Sequence, residues 1–420
     1  MRRLIWHLQV GILMGAGLAH GVLAQTTLTW QQVKDKFEAD NPNLRAGQLN
    51  IQESKAEEIT AYLRPNPNLT AGLDQLQPFN GNPYRPFAYA FPLVAFDYLH
   101  ERQHKRELRQ ESAQKGTSIA DSQQLDLERT LLFTLRSAFV QTLQAKALLA
   151  NAKENLNYFD KELSISRVRF KSGDIARMDL DRLVLQRAQY ESDYQTALVN
   201  ARTARITLLM LLNDRTPVDR FDVTGPFEFE ERIMALDEFH SAALAARPDL
   251  KAAIETVDKA ETDHKLAVSN GSTDPTFGVD LGRNPPITIY IGFSINIPLR
   301  IFDRNQGEKA RTEIDIAHAQ RQKDAAEAQV FSDVDSAYFT VVSSVNLLLP
   351  YKGTDGYLET ATRIRDAMSF AYQRGQAALL DYLDAQRDYR ATQVAYINLV
   401  GSYLSAASQL NTAVGREVIK

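Results

Sequence analysis

The stretch 287-ITIYIGFSINI-297 alternates without interruption. Ile287, Ile289, Ile291, Phe293, Ile295 and Ile297 fall on one side. Thr288, Tyr290, Gly292, Ser294 and Asn296 fall on the other. A period of two sustained this long is a strand with one apolar face and one polar or small face. At about 3.3 Å per residue it spans roughly 36 Å. Tilted by about 45°, it covers roughly 25 Å, the height of the apolar band of an outer-membrane barrel. A half-buried sheet packed on helices gives the same alternation, so the rest of the chain has to decide.

The neighbouring 276-TFGVDLG-282 alternates likewise, with Phe277, Val279 and Leu281 opposite Thr276, Gly278, Asp280 and Gly282. An earlier, weaker copy sets Leu69, Ala71 and Leu73 against Thr70, Gly72 and Asp74, and Phe87, Tyr89 and Phe91 against Ala88 and Ala90. The expected strands are therefore about 68–76, 86–92, 275–283 and 287–298. The segments 77-QPFNGNPYRP-86 and 283-RNPP-286 carry the residues of hairpin ends. Four strands cannot close a barrel, since the smallest have about eight. Lipid tolerates no open strand edge. Strands lying in a membrane would thus have to be pooled by several chains.

The chain is duplicated. "PLVAFDYL" from Pro92 echoes "PLRIFDRN" from Pro298, with Pro, Leu, Phe and Asp in register at an offset of 206. Pro42 and Pro248 keep the same offset. "RFKSGDIARMDL" from Arg169 and "YQRGQAALLDYL" from Tyr372 pair Gly173 with Gly375 and Asp179 with Asp381, at an offset of 202. This is one architecture built twice, not a short-period solenoid. Each half is expected to run as an opening helix (about 28–62 and 236–268), two strands and a very long helical hairpin. The halves are then 25–213, with hairpin 97–213, and 234–415, with hairpin 303–415. The linker 214–233 carries two prolines, a glycine and clustered acids; 416–420 is a tail. Between 93 and 216 there is no proline, and Leu132, Leu135, Phe139 and Leu143 make an apolar stripe that Leu156, Phe159, Leu163 and Phe170 continue. Pro350, Gly353 and Gly356 predict a kink in the second hairpin.

Composition excludes several classes. The 420 residues carry a formal net charge of −4, which argues against a nucleic-acid partner. With no cysteine there is neither a disulfide framework nor a lipidated cysteine. Arg2 and Arg3, a mostly apolar run, and "VLA" ending at Ala24 have the layout of a secretory signal peptide over 1–24.

Taken together, the duplicated halves, the "FPLVAFD" and "IPLRIFD" junctions, the two glycine turns and "LLN" at 211–213 resemble the TolC-like outer-membrane efflux channel family, over nearly all of the chain after residue 24. The first turn, "RFKSGDIARMDLDRLVLQRAQYESD", is most similar to the heavy-metal (cobalt-zinc-cadmium type) efflux branch. The resemblance implies a mainly α fold with a small β part. Three chains would form a twelve-strand barrel in the outer membrane over a helical tunnel through the periplasm. Their partners would be a periplasmic adaptor and an inner-membrane pump of the resistance-nodulation-division class. Such a channel is a passive conduit for metal ions or small toxic compounds, with no catalytic residue and no cofactor.

By the same resemblance Gly173 and Gly375 are the hairpin tips, and with Asp179 and Tyr372 they form the adaptor contact. Asp381 and Asp384 would face the pore and ring its constriction. Acids in a helix's first turns also offset its dipole, and that reading stays open for Asp179, Asp381 and Asp384. Where the family carries a latch arginine after the second glycine, this chain has Ala377; Arg177 and Arg182 are the candidate substitutes.

Two other readings compete. "HERQH" at 100–104 matches the HExxH pattern of zinc hydrolases, in which His100 and His104 on one helical face would hold the metal beside Glu101. No third ligand is evident, and the corresponding stretch of the second half lacks the pattern. A purely structural coiled-coil scaffold in the periplasm would explain the hairpins but not 287–297.

Overall fold

The computed structural model describes residues 26–79, 83–231, 234–283 and 288–419. The expected signal peptide, Ile287 and Lys420 lie outside them. The first half runs β1 (Thr26–Leu28), α1 (Trp30–Asp40), α2 (Pro42–Tyr62), β2 (Asn68–Asp74), β3 (Phe91–Leu99), α3 (Lys105–Lys171) and α4 (Arg177–Leu211). The second runs β4 (Phe221–Val223), α5 (Leu236–Ala246), α6 (Pro248–Asn270), β5 (Thr276–Gly282), β6 (Tyr290–Asn296), α7 (Gln306–Leu348), α8 (Tyr357–Gln373) and α9 (Leu379–Val414).

Each opening helix is two helices, not one. Pro42 and Pro248 occupy the first turns of α2 and α6, after an extended Asn41 and Arg247. A proline there lacks only a donor that the helix start leaves unpaired anyway, but it cannot continue the helix before it. Thr29 and Gln32 close a capping box on α1.

The second strand also departs from expectation. It is Phe91–Leu99, not 86–92; Pro86, Phe87, Ala88 and Tyr89 form turns. Pro92 sits second in the strand, near its end, where a missing donor is tolerated. Its carbonyl still accepts from the Arg283 amide at 3.2 Å. The "FPLVAFD" junction is therefore itself the strand. The hairpins begin later than expected, at Lys105 and Gln306, each behind a left-handed residue, His104 (φ 56°) and Asn305 (φ 61°). The fourth strand is shorter than the alternation suggested, Tyr290–Asn296.

Helix α3 is the axis of the chain. Its 67 residues extend about 100 Å at 1.5 Å per residue, packing on α2, α4, α6 and α9. Its counterpart in the second half is broken as Pro350 predicts: α7 ends in a 3-10 turn (Leu349–Tyr351), and Gly353 (φ 91°) precedes α8. The segment expected to be a bare linker holds β4, whose three residues are all buried and pair in parallel with β1.

The core is divided into three clusters. One centres on α7 and α9 around Val334, Val341, Tyr403 and Leu410. A second gathers Val33, Phe37, Leu135, Phe139, Leu208 and Val223. The third joins the far ends of both hairpins through Phe159, Leu163, Leu183, Tyr190, Tyr372 and Tyr382.

Candidate functional site: the sheet and the hairpin tips

Strands from both halves make one antiparallel sheet in the order β2-β3-β5-β6. Its register sets Leu69, Phe96, Val279 and Phe293 in one row, and Ala71, Val94, Leu281 and Ile291 in the next. All eight are exposed, Phe293 by 83% and Ile291 by 64%. The opposite face carries Thr70, Ala95, Asp280 and Gly292 in one row and Asn68, Asp97, Gly278 and Ser294 in another. The Asp280 carboxylate lies over Gly292, where a Cβ would meet its Oδ1 at 2.6 Å. A continuous exposed apolar face backed by a small, acidic one is a surface made for a non-aqueous neighbour. The outer edges, β2 and β6, have no strand partner among the described residues.

At the other end of the hairpins the two turns are built alike. After α3 the Gly173 amide donates to the Phe170 carbonyl (3.1 Å) and that of Asp174 to Arg169 (2.8 Å). After α8, Gly375 donates to Tyr372 (3.0 Å) and Gln376 to Ala371 (2.8 Å). This pattern ends a helix on a left-handed residue, and Gly173 and Gly375 have φ of 84° and 72°. Extended alanines, Ala176 and Ala378, then open α4 and α9. Asp179 and Asp381 both stand in the first turn that follows.

Asp381 is exposed and makes no ion pair among the described residues, whereas Asp384 pairs with Arg387 at 3.1 Å. Arg177 is held by Asp181 of its own helix at 3.0 Å. Arg182 is exposed. Tyr372 is buried and stacks on Tyr382 (centroids 4.9 Å apart), but its hydroxyl has no hydrogen-bond partner within the chain.

The contacts that tie the first hairpin to the second are ones the sequence did not single out. Arg169 Nη1 donates to the Tyr372 carbonyl at 3.0 Å, with its guanidinium over that ring. Tyr158 meets Ser369 at 3.1 Å, and Arg390 pairs with Asp193 at 2.7 Å. Glu162, 7% exposed, accepts from Gln373 Nε2 at 2.9 and 3.1 Å. Burial pushes its carboxyl above the usual range, with the Gln373 hydrogen bond pulling the other way. The signal was a glutamate inside the apolar stripe, three residues after Phe159 and one before Leu163.

The HExxH match does not make a metal centre. Residues 100–104 lie between β3 and α3, not on a helix, so His100 and His104 are not one turn apart on a common face. His100 donates its backbone amide to Pro275, and Glu101 is clamped by Arg109 at 2.5 and 2.9 Å. No cluster of three metal-ligating side chains occurs among the described residues.

Duplicated long helical hairpins carrying one antiparallel sheet, apolar on one face and unpaired at both edges among the described residues, define the class of fold. The model of the family described as outer membrane efflux protein matches residues 240–416. The match covers the second half of the chain, from α5 to the end of α9. The chain is 22% identical to the outer membrane efflux protein BepC of Brucella suis over 69% of this chain, and spans 64% of that relative's length. It is also 22% identical to the cobalt-zinc-cadmium resistance protein CzcC of Cupriavidus metallidurans, over 74% of each. The fold is similar to that of the Campylobacter jejuni CmeC outer membrane channel, with a TM-score of 0.74 at 14% identity, covering 99% of this chain and 95% of that one.

Proposed function

We propose that this chain is the outer-membrane channel of a tripartite export system, a passive conduit assembled from three copies. The observation that carries the reading is the sheet: an apolar outer face and two edge strands that one chain cannot pair. Unpaired backbone groups in lipid cost several kcal/mol each. Copies joined edge to edge through β2 and β6 remove that cost, and three supply twelve strands. The hairpins then become the wall of a tunnel. Their tips, at Gly173, Asp179, Tyr372 and Gly375, meet a periplasmic adaptor and through it an inner-membrane pump. Asp381 and Asp384 ring the narrow end, with Asp381 the freer charge. The cargo we favour is a heavy-metal cation, supported by the first tip turn and by the likeness to CzcC.

Detergent-extracted protein should run as a trimer and open discrete conductances in planar bilayers. A monodisperse, water-soluble monomer would sink the proposal in favour of a periplasmic scaffold. The cargo is tested separately: a deletion strain should become sensitive to cobalt, zinc or cadmium. Sensitivity confined to organic toxicants would keep the channel and discard the metal.

A further inference from the structure

Away from both the sheet and the tips, a cavity of about 390 Å³ opens where α1, α3 and the chain's C-terminal segment meet. Its apolar wall is Trp30, Leu132 and Phe133. Its charged lining is four cations, Lys34, Arg129, Arg136 and Arg416, against Glu128 and Glu417. Arg129 is already committed, to the Thr412 carbonyl (2.6 Å) and to Asp126 (2.6 Å). Arg136 is not. Its guanidinium stands 4.5 Å from the Trp30 ring centroid and 5.8 Å from that of Phe139, and no carboxylate pairs with it among the described residues. Burial pulls its pKa down, with only the more distant Glu417 opposing.

A half-desolvated cation without a counter-charge is costly. Contact with the two rings restricts the guanidinium and leaves its N–H donors without a carboxylate partner among the described residues. A second donor lies beside it. Trp30 Nε1 gives its hydrogen to Glu417 at 3.3 Å, a long bond that a better acceptor would displace. We propose that this pocket binds a small organic carboxylate with a flat apolar body. The carboxylate sits on Arg136 and Trp30 Nε1–H in place of Glu417, and the body lies against Leu132 and Phe133. The proposal stands apart from the channel reading and survives its failure.

Trp30 is the sole tryptophan of residues 25–420, so its fluorescence reports the site. The test titrates phenylacetate, and the neutral phenylacetamide of the same shape, into the purified, signal-processed protein at constant ionic strength. Phenylacetate should change Trp30 emission saturably, at least about tenfold more tightly than the amide, a difference set by the charged hydrogen bonds. Arg136→Gln should abolish that preference. Glu417→Gln, which removes the resident competitor and leaves the cavity walls intact, should tighten phenylacetate a few-fold. The proposal is overturned by equal binding of acid and amide, or by no saturable change, including the case in which a second copy covers the pocket. It is also overturned by an Arg136→Gln protein that melts and binds like the wild type, or by a Glu417→Gln protein with unchanged affinity.

Discussion

Glu162→Gln should make the hairpin tips harder to open, and only at higher pH. The glutamate sits between the hairpins, 7% exposed, and its hydrogen bonds come from the neutral amide of Gln373. No cation pairs with it among the described residues, and its charge acts on Tyr372 and Tyr382. Burial raises its pKa in the folded chain above the unfolded value. The folded state therefore holds the proton to higher pH than the unfolded one. Glu162's stabilising contribution is full below its unfolded pKa and is lost as pH rises through the folded one. Each unit of upward shift corresponds to about 1.4 kcal/mol, or tenfold in the opening equilibrium. Glutamine keeps the shape and an acceptor for Gln373 but carries no charge, so its advantage should be largest at pH 8 and fade towards pH 4. Hydrogen exchange read on peptides covering 156–175 and 366–382 measures local opening directly. The expected result at pH 8 is slowing by roughly tenfold for each unit of upward shift. Exchange that is unchanged or faster at pH 8, or a gain that persists undiminished in acid, would refute the argument.

Three further outcomes follow from the same geometry. Ile291→Asp places a charge on the exposed apolar face and should impair insertion by about 1–3 kcal/mol, while Ser294→Asp, on the other face, should not; heat-modifiable migration of membrane extracts checks both. Asp381→Ala should weaken block of the channel by trivalent cations more than Asp384→Ala, because Asp384 is already paired with Arg387; equal effects in planar bilayers would leave both acids as dipole partners of α9. Gly375→Ala should destabilise the second tip by about 1 kcal/mol, from the left-handed backbone alone, since nothing lies within 4 Å of the added Cβ; faster exchange at 371–378 is the readout.

Long-period features were legible in the sequence and short-range boundaries were not. The duplication, the 67-residue helix, the kink at Pro350 and both glycine turns follow from spacing that no local exception disturbs. The second strand lies later than expected because Phe87, Tyr89 and Phe91 imitate the alternation that belongs to Val94, Phe96 and Tyr98. Strand β4 was invisible: three residues carry no period, and they are fixed by pairing with β1 almost two hundred residues away. HExxH matched as letters, but the helix it needs begins only at Lys105. At the tips the positions of Asp179 and Asp381 were readable, whereas the bridging role of Arg169, Glu162 and Gln373 depends on which faces of α3 and α8 meet, and side-chain partners across two hundred residues leave no trace in one chain.

The two halves share a plan but not a stiffness. A push on the first tip is carried back along one uninterrupted rod of about 100 Å. A push on the second travels about 26 Å along the 17 residues of α8 before it reaches Gly353 and Gly356, where the helix hydrogen-bond ladder is absent. The outgoing arm of the first hairpin therefore acts as a strut, and that of the second as a short lever hinged at its base beside the unbroken α9. Displacement of the second tip along α8 is taken up at 349–356, so substitutions that restore helix there should stiffen that tip from some 25 Å away.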